Sequence, residues 1–289
     1  MKSKLDRRSW LFIIPSVVLI TAFVFYPMIQ AFFTSLQTGM GNNLTYSGLD
    51  NYKRLLTDST FKKALFNTVL FLIIQVPIMI ILALVISSML NDKKLKGRGL
   101  FRTAIFLPCV TSLVAYSIIF KSLFATDGFV NAMLMNLHII SEPIAWITNT
   151  IFARALIIIA ITWRWTGYNM VFYLSGLQGI DESIYEAAAI DGASGFNKFT
   201  QITLPLLKPI ILFTTINSTI GTLQLFDEVK NITDGGPANG TITISQYIYN
   251  LLFKYQPNFG YAAAVSYVIV LLIVVLSIIQ MKVGGDKNE

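Results

Sequence analysis

Long apolar stretches, separated by short charged segments, constrain this chain more than any other feature. Charged residues make up only 13% of it, against roughly 25% in an average soluble domain. A helix that crosses a bilayer needs about 20 mainly apolar residues, and six stretches reach that length: about 11–33, 65–90, 103–123, 151–174, 210–230 and 260–281. The sequence therefore predicts an all-α integral membrane protein with six transmembrane helices, organised as a single domain over residues 1–289.

Lysine and arginine are unevenly divided between the two sides that six spans would create. The termini and the second and fourth connections carry thirteen of them, against eight in the other three connections. Because cytoplasmic loops carry the excess of positive charge, both termini are predicted to lie in the cytoplasm. The net charge of +7 is dispersed beside apolar runs, which favours a lipid membrane as partner and argues against nucleic acid.

Side chains suited to catalysis are scarce. The sequence contains one histidine, His138, and one cysteine, Cys109, which excludes an internal disulfide and a histidine-based metal cluster. It also lacks the G-x-x-x-x-G-K-[ST] loop that cradles nucleotide phosphates. We therefore expect no catalytic residue, metal ligand or cofactor on this chain, and the alternative of a membrane-embedded enzyme is disfavoured.

The connection at about 176–209 predicts a short helical hairpin at the membrane surface. Asp181 and the polar residues after it favour a helix start, and the alanines at 187–189 keep the helix slim. Gly192 is suited to end this helix, because glycine adopts a positive φ without cost. A second short helix is expected at about 194–203, with the two prolines after it leading into the next span. On these grounds alone, an interfacial helix that only stabilises the bundle is an equal alternative.

The same connection resembles the EAA motif of MetI-like, type I permeases of ATP-binding-cassette (ABC) importers. The residues that match at the motif's spacing are Glu186, Ala187, Ala188, Gly192, Ile202, Leu204 and Pro205. Similarity to the carbohydrate branch, and especially to its MalF-like (UgpA-like) subunits, extends along nearly the whole chain, at Gly48–Tyr52, Phe66–Thr68, Arg102–Pro108, Phe226–Asp227, Thr233–Ala238 and Gly260–Ala264. The resemblance implies the MetI-like bundle, with the hairpin as its coupling helix.

This resemblance also implies a function and partners. Such a permease lies in the bacterial cytoplasmic membrane and translocates a sugar, here expected to be a di- or oligosaccharide. It pairs with a second homologous permease (MalG-like), receives sugar from an extracytoplasmic sugar-binding protein, and is driven by an ABC ATPase dimer that carries the ATP and Mg. The implied ATPase-coupling residues are Glu186, Ala187, Ala188, Asp191 and Gly192. Glu186 and then Asp191 are the candidate functional charges, with capping of the following short helix as the alternative role of Asp191, and Gly192 is conformational.

Polar and aromatic residues in the fourth and fifth spans are candidates for the substrate path. A sugar has apolar C–H faces and a rim of hydroxyls, so its site needs aromatic rings beside hydrogen-bonding groups. The candidates are Trp163, Arg164, Trp165, Tyr168 and Asn169 in the fourth span, and Thr222, Gln224 and Asp227 in the fifth. An interfacial aromatic belt with a snorkelling Arg164 is the alternative for the first group, and interhelical hydrogen bonding is the alternative for the second.

An ion-coupled secondary transporter is the rival function. That class predicts acidic residues within the spans and a repeated pattern between the two halves of the chain. Most span interiors here lack carboxylates, and Asp227 and Glu228 lie near the end of a span. The sequence therefore favours an importer whose energy comes from a separate ATPase.

Overall fold

Helices make up most of residues 7–41 and 43–285, the part of the chain that the computed structural model describes. Three of the basic residues counted for the orientation, Lys2, Lys4 and Lys287, lie outside this part. The described residues belong to two compact units, one of the described residues up to 58 together with 248–270, the other of residues 59–247 together with 271–285. The predicted helical class is confirmed, while the single-domain organisation stays a prediction.

The first unit contains a small sheet that the all-α prediction missed. Its elements are α1 (Arg7–Ile20), a π-helical segment (Thr21–Phe25), α2 (Tyr26–Ser35), β1 (Gln37–Met40), β2 (Asn43–Tyr46) and α3 (Asp50–Leu55). The strands are antiparallel, with Gln37 opposite Tyr46. The buried Asn51 side chain donates to the carbonyls of Ser35 (2.9 Å) and Gln37 (2.7 Å). One amide therefore fixes the exit of α2 and the start of the hairpin, a link that local sequence patterns do not reveal.

The second unit is the helical bundle. Its elements are α4 (Ser59–Asn91), α5 (Arg98–Val110), α6 (Leu113–Leu123), α7 (Phe129–Asn136), α8 (Thr150–Gln178), α9 (Glu182–Ile190), α10 (Gly195–Lys198), a π-helical segment (Phe199–Thr203), α11 (Leu204–Leu223) and α12 (Asp227–Ile232). Helices α13 (Ile244–Tyr249) and α14 (Phe259–Gly284) each contain residues of both units, and the π-helical segment Asn250–Lys254 belongs to the first unit.

Helix α8 is the centre of the bundle. Toward its C-terminal end Met170 and Tyr173 pack with Ala83 of α4 and Leu207 of α11. Nearer its N-terminus Ile157 packs with Phe71 of α4 and Val229 of α12, while Leu156 and Ala160 pack with Tyr116 of α6. These clusters bury side chains along the full length of α8, so its polar residues are held in fixed positions between α4, α6 and α11.

Several helices meet the requirements for crossing a membrane. Within the described residues, four helical segments are long and apolar enough: Phe12–Ser35, Ser59–Asn91, Gly195–Leu223 and Phe259–Gly284. The helix pair Arg98–Val110 and Leu113–Leu123 is a fifth candidate. Helix α8 covers the remaining predicted span, 151–174, but it is not among the apolar segments. The polar residues in its interior, among them Arg164 and Asn169, lower its mean hydropathy.

The predicted third span, 103–123, is a broken helix. Its two parts, α5 and α6, meet at an angle of 100° across Thr111 and Ser112. Thr111 has an extended backbone, and its hydroxyl donates to the Pro108 carbonyl (2.7 Å). The break leaves the last carbonyls of α5 without intrahelical donors. Another side chain of the bundle must satisfy them, because lipid cannot.

The predicted limits of the fifth span, 210–230, and of the hairpin's second arm were wrong. The spanning helix ends at Leu223, and α12 is a separate helix after it. Thr243 donates to the Leu225 carbonyl (2.7 Å) at this break, so a residue distant in sequence stabilises it. The second arm is not a separate helix, because Gly195–Leu223 is continuous through the π-helical segment. Pro205 directly follows the π-helical segment and has no N–H to donate to the preceding turn.

Candidate functional site

The hairpin at residues 181–203, which the resemblance predicts to be the coupling hairpin, has a defined cap at each turn. The Asp181 carboxylate accepts from the Ser183 amide (2.9 Å) and begins α9. Hydrogen bonds from the backbone and the hydroxyl of Ser183 lower the pKa of Asp181. At the other end Gly192 has φ +79°, and the amides of Gly192 and Ala193 donate to the carbonyls of Ala189 and Ala188. This is a Schellman motif, which requires a left-handed residue at the glycine position.

The hairpin is attached to the bundle by polar contacts. Tyr185 and Thr203 join its two arms through their hydroxyls (2.9 Å), and Lys93, after α4, forms an ion pair with Glu182. The second arm begins at Ser194, whose hydroxyl accepts from the Asn197 amide. Asp191 therefore ends α9 and does not cap the next helix. The hairpin has an anchored base and a defined turn.

The tip of the hairpin is exposed and partly apolar. Ile190 is 86% exposed and Phe196 is 75% exposed. Among the predicted coupling residues Glu186, Ala187, Asp191 and Gly192 are exposed, and Ala188 is half-buried. Apolar side chains on both sides of a rigid turn are suited to insertion into a groove of another protein.

A cavity of about 380 Å³ lies between α4, α8, α11 and α12. Small-molecule sites have volumes of about 300–1,000 Å³. Six of the eight predicted path residues line it: Trp165, Tyr168, Asn169, Thr222, Gln224 and Asp227. Its other polar lining residues are Gln75, Asn217, Ser218 and Glu228. Trp165 and Tyr168 form an edge-to-face pair with ring centroids 5.7 Å apart, so the cavity has an aromatic wall beside hydrogen-bonding groups.

A buried hydrogen-bond network forms one side of the cavity. Thr222 donates to Gln75 Oε1 (3.2 Å), and the amides of Gln75 and Asn169 both donate to the Met79 sulfur (3.1 and 3.4 Å). Asn169 also donates to the Trp165 carbonyl (3.1 Å). Both amides are about 1% exposed, so their orientation is set by these contacts. Asn169 Oδ1 is buried and accepts no hydrogen bond from the described residues.

Two adjacent carboxylates complete the lining. Asp227 is half-buried and Glu228 is 4% exposed. Both belong to the first turn of α12, beyond the end of the spanning helix at Leu223. Burial raises the pKa of the Glu228 carboxyl, and this outweighs the opposing effects of hydrogen bonds with the backbone and the Tyr116 side chain and of the Arg164 charge. Asp227 and Glu228 form an acidic wall of the cavity. They follow the break after Leu223, where the chain leaves the spanning helix and begins α12.

The two remaining path candidates, Trp163 and Arg164, do not line the cavity. The Arg164 guanidinium donates to the carbonyls of Pro108 (3.2 Å), Cys109 (3.2 Å) and Thr111 (3.0 Å), at the end of α5. A cation is favoured at a helix C-terminus, so Arg164 satisfies the carbonyl groups that the break in the third span leaves without donors. It is 6% exposed, which argues against the snorkelling alternative. Trp163 packs against Phe120, with ring centroids 5.3 Å apart.

Sequence reasoning left out several lining residues. Gln75 is an amide in the middle of the apolar run at 65–90, whose other amide, Asn67, lies near its start. A polar residue inside a span is itself a signal of function. Asn217 and Ser218 belong to the polar stretch of the fifth span, but the sequence does not show which helical turn of that stretch faces a cavity. Glu228 was placed at the end of the span, because the predicted helix continued past Leu223.

Close relatives of the chain are transport permeases. It is 58% identical to the lactose transport system permease protein LacF of Rhizobium radiobacter, over 100% of this chain and 97% of LacF. It is 36% identical to the arabinooligosaccharides transport system permease protein AraP of Halalkalibacterium halodurans, over 96% of this chain and 87% of AraP. It is 32% identical to the trehalose/maltose transport system permease protein MalF of Thermococcus litoralis, over 100% and 97%.

Solved structures with the same fold also come from importers. The crystal structure of a bacterial ABC transporter involved in the import of the acidic polysaccharide alginate matches with a TM-score of 0.83 at 23% identity, over 98% of this chain and 97% of that one. The alginate transporter in complex with its alginate pentasaccharide-bound periplasmic protein matches with a TM-score of 0.84 at 23% identity, over 96% and 95%.

The family assignment follows from residues 94–283, which match the family described as binding-protein-dependent transport system inner membrane component. This region includes the hairpin, α8, and the cavity walls from α11 and α12. Together with the relatives, it shows that the chain belongs to this family of membrane-embedded permease subunits of ABC importers.

Proposed function

We propose that this chain is the permease subunit through which a di- or oligosaccharide crosses the bacterial cytoplasmic membrane during ATP-driven import. The observation that carries the proposal is the cavity at α8, α11 and α12, where an aromatic pair faces amides, hydroxyls and carboxylates. Rings of this kind pack on the C–H faces of a sugar while the polar groups bind its hydroxyls. The names of the lactose, arabinooligosaccharide and maltose relatives support the same substrate class.

The coupling hairpin is the proposed docking site for the ATPase. Its exposed Ile190 and Phe196 offer apolar contacts on both sides of the Gly192 turn, and Glu186 offers a charge nearby. Its base is fixed by Tyr185 and Thr203, so movement of a docked partner would be transmitted to α11. ATP and Mg would be bound by that ATPase dimer and not by this chain.

The remaining partners and the orientation belong to the same proposal. A second permease (MalG-like) would complete the path, and an extracytoplasmic binding protein would deliver the sugar. A related fold has been solved with a periplasmic protein bound, which supports a binding-protein partner. The excess of lysine and arginine, counted over the termini, the 91–102 connection and the hairpin segment together, favours a cytoplasmic location for these segments.

Purification of the chain from its native membrane in mild detergent tests the importer assignment. We expect a second permease and an ABC ATPase to be recovered with it, and sugar uptake into reconstituted vesicles to require ATP. Recovery without an ATPase, together with uptake that follows an ion gradient, would instead support an ion-coupled secondary transporter.

The aromatic wall gives a prediction for the path. Trp165→Ala should lower sugar uptake by about tenfold, because it removes one ring of the edge-to-face pair that faces the cavity. The ATPase should remain bound, since the hairpin is unchanged. Uptake per amount of membrane-inserted protein is the measurement. Trp163→Ala is the matched control on the same helix, because Trp163 lies outside the cavity; an equal loss in both variants would place the path elsewhere.

A further inference from the structure

We infer that the cavity selects against negatively charged sugars, and that Asp227 and Glu228 are the residues that determine this specificity. The inference rests on the proposed function, because it concerns the charge of the sugar that passes through the same cavity. It narrows the substrate class to sugars that carry no negative charge. Uronic acids and sugar phosphates are excluded by the lining itself.

The charges of the lining are all of one sign. Among the described residues that line the cavity, Asp227 and Glu228 are the only aspartate or glutamate residues, and none is a lysine or arginine. Both carboxylates come from the first turn of α12, and both line the cavity. A like charge brought into a partly desolvated site is repelled more strongly than in water. An anionic sugar would therefore meet repulsion without a compensating cation.

Nearby cations are committed to other partners. The Arg164 guanidinium donates to three carbonyls at the end of α5 and lies outside the cavity lining. Lys230, also on α12, forms an ion pair with Asp234 at 2.6 Å. Arg164 attracts Glu228 only as a minor influence beside burial. Neither cation is placed to bind a carboxylate or phosphate inside the cavity.

Hydrogen-bonding capacity gives a second, independent argument. Asn169 lines the cavity, is 1% exposed, and its Oδ1 has no donor among the described residues. The carboxylate oxygens of Asp227 and Glu228 are acceptors too, and Glu228 also interacts with the Tyr116 side chain. Sugar hydroxyls can donate, whereas an ionised carboxylate or phosphate only accepts. The lining therefore complements the hydroxyls of a neutral sugar and opposes an anion through both charge and hydrogen bonding.

The fold itself does not determine whether the transported sugar is neutral or charged. A protein of the same fold belongs to a transporter involved in the import of an acidic polysaccharide. A bundle of this kind is thus compatible with anionic cargo, and the side chains in the cavity must decide. Here the deciding side chains are those at the start of α12.

Charged thiol reagents measure the field inside the cavity directly. In a Cys109→Ser background, Ser218→Cys places one thiol in the lining. The assembled transporter in detergent is treated with a cationic or an anionic methanethiosulfonate of similar size, and the ratio of the two rates is divided by the ratio for 2-mercaptoethanol. Any shift in thiol reactivity affects both reagents equally and cancels in the ratio.

We expect the cationic reagent to be favoured on the order of tenfold. Asp227→Asn should lower the ratio, and Asp227→Asn with Glu228→Gln should bring it to the value for the free thiol. Asp127→Asn, an exposed carboxylate outside the lining, is the control and should leave the ratio unchanged. A ratio near the free-thiol value in the parent variant, or one that Asp227→Asn leaves unaltered, would overturn the inference. The ratio is read without transport, so ATP-dependent uptake independently reports whether the importer assignment holds.

Discussion

Gly167→Ala should strongly destabilise the bundle, because the added methyl group would overlap with the backbone of a neighbouring helix. A Cβ at Gly167 would lie 2.1 Å from the Ile105 carbonyl oxygen and 3.0 Å from the Phe106 Cα. These are backbone atoms of α5, so no side-chain rotation relieves the overlap. Forced separation of α5 from α8 would also weaken the three Arg164 hydrogen bonds at the end of α5. We expect a cost of about 3 kcal/mol, at the upper end for overpacking.

The yield of monodisperse protein and its unfolding temperature in detergent measure this effect. Gly176→Ala is the matched control, two and a half turns further along α8. Its Cβ would meet the ends of the Ile210 and Leu207 side chains, at 2.4 and 2.7 Å, which can move by rotation. If Gly176→Ala is as damaging as Gly167→Ala, backbone contact between α5 and α8 is not what limits stability.

Gly192→Val should remove most ATP-driven uptake while leaving the protein in the membrane. Gly192 has φ +79° and no neighbour within 4 Å of an added Cβ, so the expected defect is conformational and not steric crowding. A left-handed backbone costs an L-residue about 1–2 kcal/mol, and more for a β-branched side chain. That strain would displace the hairpin turn and its exposed apolar residues. A cost of this size corresponds to a loss of about tenfold in ATP-driven uptake.

ATP-driven uptake and ATPase retention, each per amount of inserted permease, measure the consequence. Gly192→Asn is the conservative control, because asparagine tolerates the left-handed region, and it should retain most activity. Gly195→Ala is a second control, with open space around it and an ordinary helical backbone. Normal uptake in Gly192→Val would show that coupling to the ATPase does not require the left-handed turn at Gly192.

Local patterns in the sequence were sufficient for most helices. The apolar runs at 65–90 and 260–281 became α4 and α14 with limits shifted by a few residues. Asp181 and Gly192 predicted the ends of α9, because capping depends on neighbouring residues. The same logic failed at the break after Leu223, where Thr243 stabilises the helix end, and at the 100° bend of the third span, where Arg164 does.

The candidate path was predictable in composition but not in arrangement. Aromatic and amide residues clustered in the fourth span suggested a sugar site, and Trp165, Tyr168 and Asn169 do line one cavity. Arg164, adjacent to Trp165 in sequence, faces the end of α5 instead. Neighbouring residues on a helix point about 100° apart, so a sequence cluster is divided between surfaces that only packing identifies.

The sequence by itself determined the membrane class, the helix pattern, the capped hairpin and the family, because these depend on composition, periodicity and short-range spacing. Tertiary structure alone decided that Gln75 of α4 meets Thr222 of α11, that Arg164 satisfies the broken third span, and that Asp227 and Glu228 form the acidic wall. Those contacts join residues far apart in the chain. Their physical cause is the need to satisfy buried polar groups where lipid offers no hydrogen bonds, and only the packed bundle brings the partners together.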